Sequence, residues 1–283
     1  MELRDFSDDI SALALNTATL GHNLEGQGAG WSPEQVIDGC AARGIGGIVF
    51  WQREIAARAS EIGERARSSG LAVAGLCRTP YLTGREAPNS LDEAKRSLDI
   101  AAALGAPVLT IVTGGTEPNT KGVTASQKIL VKRVSKLAEY AGSVGVKLAL
   151  EPLNPMFGGN RTCLFTVADA LAICETVGSE NLGIAVDVYH VWWDRTLAES
   201  LCDCRGKIFG YHLCDWLENT SDMLLDRGMM GDGVADLKAI RQSVENTGYS
   251  GFCEVELFSA KNWWMKDPGQ VLDEMIWRFK RYC

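Results

Sequence analysis

The chain has 283 residues, 46% of them hydrophobic and 23% charged, which excludes a disordered or fibrous protein and suffices for one large domain spanning 1–283. Lysines and arginines number 28 against 36 acids, and the formal charge of −8 argues against nucleic-acid and anionic-membrane partners. No apolar run reaches the roughly 18 residues of a bilayer span, and the charged start Met1-Glu2-Leu3-Arg4-Asp5 lacks a signal peptide's apolar core, so a cytoplasmic protein is expected.

Nine cysteines are scattered mostly through apolar stretches, as reduced core thiols are, and Cys202-x-Cys204 lacks the two further ligands of a zinc site. In chain order, strands are predicted at 11–16, 45–50, 71–76, 108–112, 146–151, 182–187, 207–213 and 251–257. Between them lie amphipathic helical patterns at 33–43, 54–69, 91–104, 125–143, 167–177 and 237–247, and a last one at 270–281. Ser32-Pro33-Glu34 combines a cap with a first-turn proline, and Gly70, Gly105, Gly145 and Gly248 follow helical runs. Eight strand-helix units in about 250 residues, with no linker or composition shift, predict a single-domain α/β protein, a (β/α)8 TIM barrel.

In such a barrel the chemistry lies where the strands end. The fifth strand ends on Glu151, the sixth on Asp187, the seventh near His212 and the eighth near Glu256. Three carboxylates and one imidazole brought to one rim repel one another unless a cation joins them, and this oxygen-rich set suits Mn²⁺ or Mg²⁺ better than a structural zinc. A cation chelated by adjacent substrate oxygens would polarise a carbonyl and stabilise the enediolate left by C–H deprotonation. Glu151 and Glu256 are the candidate proton acceptor and donor.

The motifs Leu150-Glu151-Pro152-Leu153-Asn154, Val186-Asp187-Val188-Tyr189-His190, Gly210-Tyr211-His212, Gly231-Asp232-Gly233 and Glu254-Val255-Glu256 resemble the xylose-isomerase-like barrel superfamily. The resemblance covers the whole chain and is to the sugar isomerase/epimerase branch that holds ketose 3-epimerases and inosose enzymes. It implies one divalent metal on Glu151, Asp187, His212 and Glu256, commonly Mn²⁺ with Mg²⁺ or Co²⁺ as alternatives, proton exchange by the two glutamates, and a substrate contact from His190. Asn154 in the first motif is a further expected contact. The chain departs from the 3-epimerase pattern at Pro155 and Phe157, and lacks an arginine shortly after His212.

His22 could reach the same mouth or sit at the surface. Trp51, Trp192, Trp193, Trp216, Trp263 and Trp264 fall within seven residues after predicted strand ends, and Trp192, Trp193 and Trp216 are expected to line the mouth and recognise a carbohydrate, although tryptophans also mark oligomer interfaces and a homo-oligomer is expected. The glycine-rich run at 228–233 has few cations nearby, leaving Arg227 as the one evident anion clamp, and an unphosphorylated sugar is favoured. Two enzyme readings follow: a metal-dependent isomerase or epimerase of a keto-sugar or keto-polyol, and a hydro-lyase or eliminase acting on oxidised sugars or glycosides.

Overall fold

The computed structural model describes residues 3–28, 30–88 and 90–283. Its eight strands are β1 (Leu13–Asn16), β2 (Gly47–Trp51), β3 (Ala72–Cys77), β4 (Val108–Val112), β5 (Lys147–Glu151), β6 (Leu182–Asp187), β7 (Ile208–Leu213) and β8 (Cys253–Val255). All neighbouring pairs are parallel, and β8 pairs with β1 to close the barrel. The helices are α1 (Pro33–Ala41), α2 (Gln52–Ile55), α3 (Ala59–Ser68), α4 (Asp92–Leu104), α5 (Thr124–Ser143), α6 (Val167–Val177), α7 (Val188–Val191), α8 (Leu197–Cys202), α9 (Leu237–Asn246) and α10 (Pro268–Tyr282).

Local chemistry explains several boundaries. Ser32 and Gln35 form a reciprocal capping box ahead of Pro33 at the start of α1. Asp267 accepts from Gln270 N, so α10 begins two residues earlier than its apolar pattern suggests. The predicted helix at 54–69 is divided into α2, a 3-10 turn and α3. The sequence pattern missed α7 and α8, whose four and six residues are too short to display a helical period.

Alternation along the strands sends Leu148 and Leu150 to the helical layer and Ala149 and Glu151 to the barrel axis; all four are buried. The same alternation puts a small residue two positions before three of the candidate ligands: Ala149, Ala185 and Gly210. On β8 that position is Glu254. Thus the small side chains under Glu151, Asp187 and His212 leave room at the axis for a buried glutamate. Eight of the nine cysteines are buried and none forms a disulfide; the Cys202 and Cys204 thiols bond to helix carbonyls in and just after α8.

Candidate metal centre and active site

Glu151 ends β5, Asp187 ends β6, His212 sits one residue inside the end of β7, and Glu256 follows β8 by one residue. Asp187 and His212 are direct register partners, and Glu256 N donates to Leu213 O at 3.1 Å, so sheet pairing itself brings the four side chains together. One ligand atom from each of the four lies within 4.8 Å of every other, and all four residues are buried. His212 Nδ1 stands 2.9 Å from Glu151 Oε1 and 3.8 Å from Glu256 Oε2.

Burial opposes ionisation of Glu151, yet His212 outweighs it and holds the carboxyl below its usual range. Burial and the Glu151 charge push Glu256 up to about 8. For His212, burial disfavours the charged form, but Glu254, Glu151 and Glu256 overcome this and raise the imidazole well above 6.5. Glu151 Oε1 and His212 Nδ1 are both fully enclosed, and neither makes a well-directed hydrogen bond. Two orphaned acceptor-type atoms facing each other among three carboxylates are a donor set that a divalent cation would complete, so these residues fit such an ion.

Around this centre the structure adds groups that motif reading did not supply. Glu254 Oε2 lies 3.4 Å from His212 Nε2, while its Oε1 accepts from Asn16 Nδ2 at 2.6 Å. The same Asn16 amide donates to Glu256 Oε1 at 3.1 Å, and Trp51 Nε1 donates to Asn16 Oδ1 at 3.0 Å. Strand alternation was the available signal for Glu254; nothing local marked Asn16 on the first strand.

Arg227 is 2% exposed. Its guanidinium lies between the Tyr189 and Phe258 rings, 4.3 Å from each centroid, with Nη1 3.1 Å from Asp187 Oδ2 and 3.8 Å from Glu256 Oε2. The β7–α9 loop reaches this position by bridging Asp215 to Gly228 and Asp226 to Ser259, with Arg227 N donating to Phe258 O. An arginine far along the loop in sequence from His212 is thereby brought beside Asp187 and Glu256. The following glycine-rich run wraps Asp215, which accepts from Trp216, Gly231, Gly233 and Ala235 N–H groups. A Cβ on Gly233 would come within 2.0 Å of Trp216 O, so that glycine serves the turn.

His190 is buried beside Asp187, with Nε2 3.6 Å from Asp187 Oδ2 and 3.4 Å from Arg227 Nη2. Burial lowers its pKa to about 4, so the ring is neutral near pH 7. Asn154 N donates to His190 Nδ1 at 3.3 Å, while Arg227 Nη2, which can only donate, faces Nε2. The Asn154 side chain is occupied in accepting from Met156 N, and Asn154 meets His190 through its backbone.

A cavity of about 430 Å³, counting its mouth, opens above the four ligands. Its walls include Glu151, Glu256, His190 and Arg227, the rings of Trp51, Phe157 and Phe258, and the arginines Arg78 and Arg161. Trp192, Trp193 and Trp216 are not among the lining residues, contrary to the sequence expectation for the mouth. Trp216 packs on Tyr189 at 4.8 Å and on Trp192 at 5.6 Å, and Trp193 Nε1 donates to His190 O. These indoles buttress the wall from behind. Of the tryptophans that follow strand ends, Trp51 lines the cavity, whereas Trp192, Trp193 and Trp216 pack beside it. His22 is buried and paired with Glu54, outside the cavity lining.

The xylose isomerase-like TIM barrel family model matches residues 37–281. The chain belongs to that family. Among curated relatives, inosose isomerase of Bacillus subtilis (strain 168) is 33% identical over 136 residues, 47% of each chain. The aligned part of this chain thus spans about half the length of that relative; L-ribulose and fructoselysine 3-epimerases also match. A crystal structure of a Sinorhizobium meliloti 1021 protein superposes with a TM-score of 0.89 at 38% identity, covering 97% of this chain and 99% of that one. A zinc-bound crystal structure of the IOLI protein shares the fold with a TM-score of 0.80 at 20% identity, covering 95% and 96%. Among the described residues no helix is long and apolar enough to cross a membrane.

Proposed function

We propose that the protein is a divalent-metal-dependent sugar isomerase or epimerase acting on a keto-sugar or keto-polyol. The observation that carries this reading is the convergence of Glu151, Asp187, His212 and Glu256 on one point, with Glu151 Oε1 and His212 Nδ1 enclosed and without a directed hydrogen bond, beside a cavity that Glu151 and Glu256 line. The isomerase and epimerase relatives support the same reaction class.

Glu151, Asp187, His212 and Glu256 would hold the ion, which when bound supplies positive charge to offset the negative charge that develops on adjacent substrate oxygens. Glu151 and Glu256 come from strands separated by β6 and β7, so one can remove a proton from the carbon beside the carbonyl while the other returns one. Return to the opposite face gives an epimer; return to the neighbouring carbon gives an isomer. His190, neutral and lining the cavity, contacts a substrate oxygen, and the rings of Trp51, Phe157 and Phe258 limit water at the reacting carbon.

The test is incubation of Mn²⁺-loaded protein with a panel of keto-sugars in D₂O. Carbon-bound deuterium in a product of unchanged formula is the expected result. A β-eliminated unsaturated keto-sugar as the only product, with no deuterium in any isomer of the substrate, would overturn the reading in favour of an eliminase.

A further inference from the structure

Two cationic side chains in the cavity have no carboxylate to answer. Arg78 follows β3 directly and Arg161 lies in the loop after β5; both are half-buried and both line the cavity. Several other arginines of the fold pair with acids, as Arg43 does with Asp273, Arg65 with Asp38 and Arg278 with Asp232, while among the described residues Arg67, Arg85, Arg195, Arg205 and Arg281 have no acid partner but do not line the cavity. Among the described residues no carboxylate oxygen lies within 4.0 Å of a nitrogen of Arg78 or Arg161. Deeper in the site, Asp187 lies 3.1 Å from Arg227, Glu151 faces His212 at 2.9 Å and Glu256 accepts from the Asn16 amide at 3.1 Å, and none of these carboxylates comes within 4.0 Å of Arg78 or Arg161.

Both guanidiniums are held on aromatic platforms. The Arg78 Cζ lies 4.5 Å from the Tyr81 ring centroid, and only its Nη1 is engaged, donating to Thr79 O at 3.0 Å. The Arg161 Cζ lies 5.9 Å from the centroid of Phe157, itself part of the cavity wall. Stacking fixes the plane of a guanidinium while leaving its edge N–H donors free, the geometry that receives a carboxylate or phosphate in bidentate fashion. A sugar carrying only hydroxyl groups would leave two desolvated positive charges uncompensated.

We infer that the substrate carries an anionic group, a carboxylate or a phosphate, and that Arg78 and Arg161 receive it while the reacting end meets the four-ligand centre. This revises the sequence expectation of Arg227 as the anion clamp, because Arg227 is committed to Asp187. The inference rests on the isomerase or epimerase reading for the reacting end only; the anion subsite stands on its own residues.

The experiment is calorimetric binding at fixed salt to the Mn²⁺-loaded protein, comparing D-fructose with D-fructuronate and with D-fructose 6-phosphate. At least one charged ligand is expected to bind ten-fold or more tightly than fructose, and which one does so identifies carboxylate or phosphate. The charged-to-neutral affinity ratio should collapse in the Arg78→Gln/Arg161→Gln double variant and fall part-way in each single variant. Arg78→Lys/Arg161→Lys, which retains charge without the fork, should recover part of the ratio. Charged ligands no tighter than fructose, or a ratio unchanged in a folded double variant, would overturn the inference. Arginine-dependent binding of a charged ligand without solvent deuterium exchange would support the anion subsite and count against the isomerase reading; exchange of a neutral ketose with no charge preference would do the reverse.

Discussion

His212 presents its two ring nitrogens to two different carboxylates: Nδ1 to Glu151 at 2.9 Å, and Nε2 to Glu254 at 3.4 Å on the far edge of the ring. With Nδ1 turned toward the proposed ion, Glu254 is the outer carboxylate that fixes the tautomer and raises the basicity of the ligand nitrogen. Glu254→Gln keeps the volume and removes the charge. Its affinity for Mn²⁺ should fall about 10- to 100-fold, measured by competition with a chelator, while retained affinity would leave Glu254 a filler of axial space.

Replacing Glu151 or Glu256 by Gln removes a proton acceptor together with ligand charge. Deuterium exchange into substrate should fall by roughly 10²- to 10⁴-fold or more. His190→Asn should slow turnover with metal content intact. Loss of the ion from His190→Asn, read by metal analysis, would instead make the histidine part of the ion's own support.

Removing the Arg227 charge leaves Asp187 buried without its nearest cation. Arg227→Met should destabilise the metal-free protein by about 3–5 kcal/mol in urea unfolding. Excess Mn²⁺ should return part of that loss, since an ion at the four ligands answers the same carboxylate. An unchanged unfolding midpoint would show that the Tyr189 and Phe258 rings, and not the charge pair, hold this region.

The metal-free protein should lose stability as pH rises from about 6.5 to 8. Burial and Glu151 raise Glu256 to about 8, and the surrounding glutamates raise His212 well above 6.5, so the folded state binds more protons than the unfolded chain across this window. Stability therefore falls with pH there. Below 6.5 the sign is mixed, because His190, lowered to about 4, favours folding as it loses its proton. Thermal melts of chelator-treated protein at several pH values check the slope, and saturating Mn²⁺, which displaces those protons, should flatten it.

Trp51→Ala should weaken ligand binding by roughly 1–3 kcal/mol, because the indole both lines the cavity and holds Asn16. Trp193→Ala should act on stability first, since its N–H bonds His190 O behind the wall. Equal binding losses in both variants would return Trp193 to the mouth.

The barrel was legible because eight apolar runs each precede or follow a helical pattern, and the ligand quartet was legible because each residue closes such a run. What stayed hidden depended on contacts between distant segments. Arg227 is carried to Asp187 by a loop whose course is set by Asp215 and by its bridge to Ser259. Arg78 and Arg161 meet at one cavity from different strand ends and no sequence spacing relates them. The tryptophans were legible only in part, because closeness to a strand end picked out Trp51, which lines the cavity, together with Trp192, Trp193 and Trp216, which pack beside it.

The late position of β8 gives the centre a particular dependence on the order of synthesis. Its last ligand, Glu256, follows the strand that pairs His212 with Glu254 and Leu213 with Val255, so β8 must dock on β7 before the quartet exists. A growing chain that has released β5, β6 and β7 holds three of the four groups. Affinity for the ion then becomes a gauge of whether the last strand of the sheet has been added.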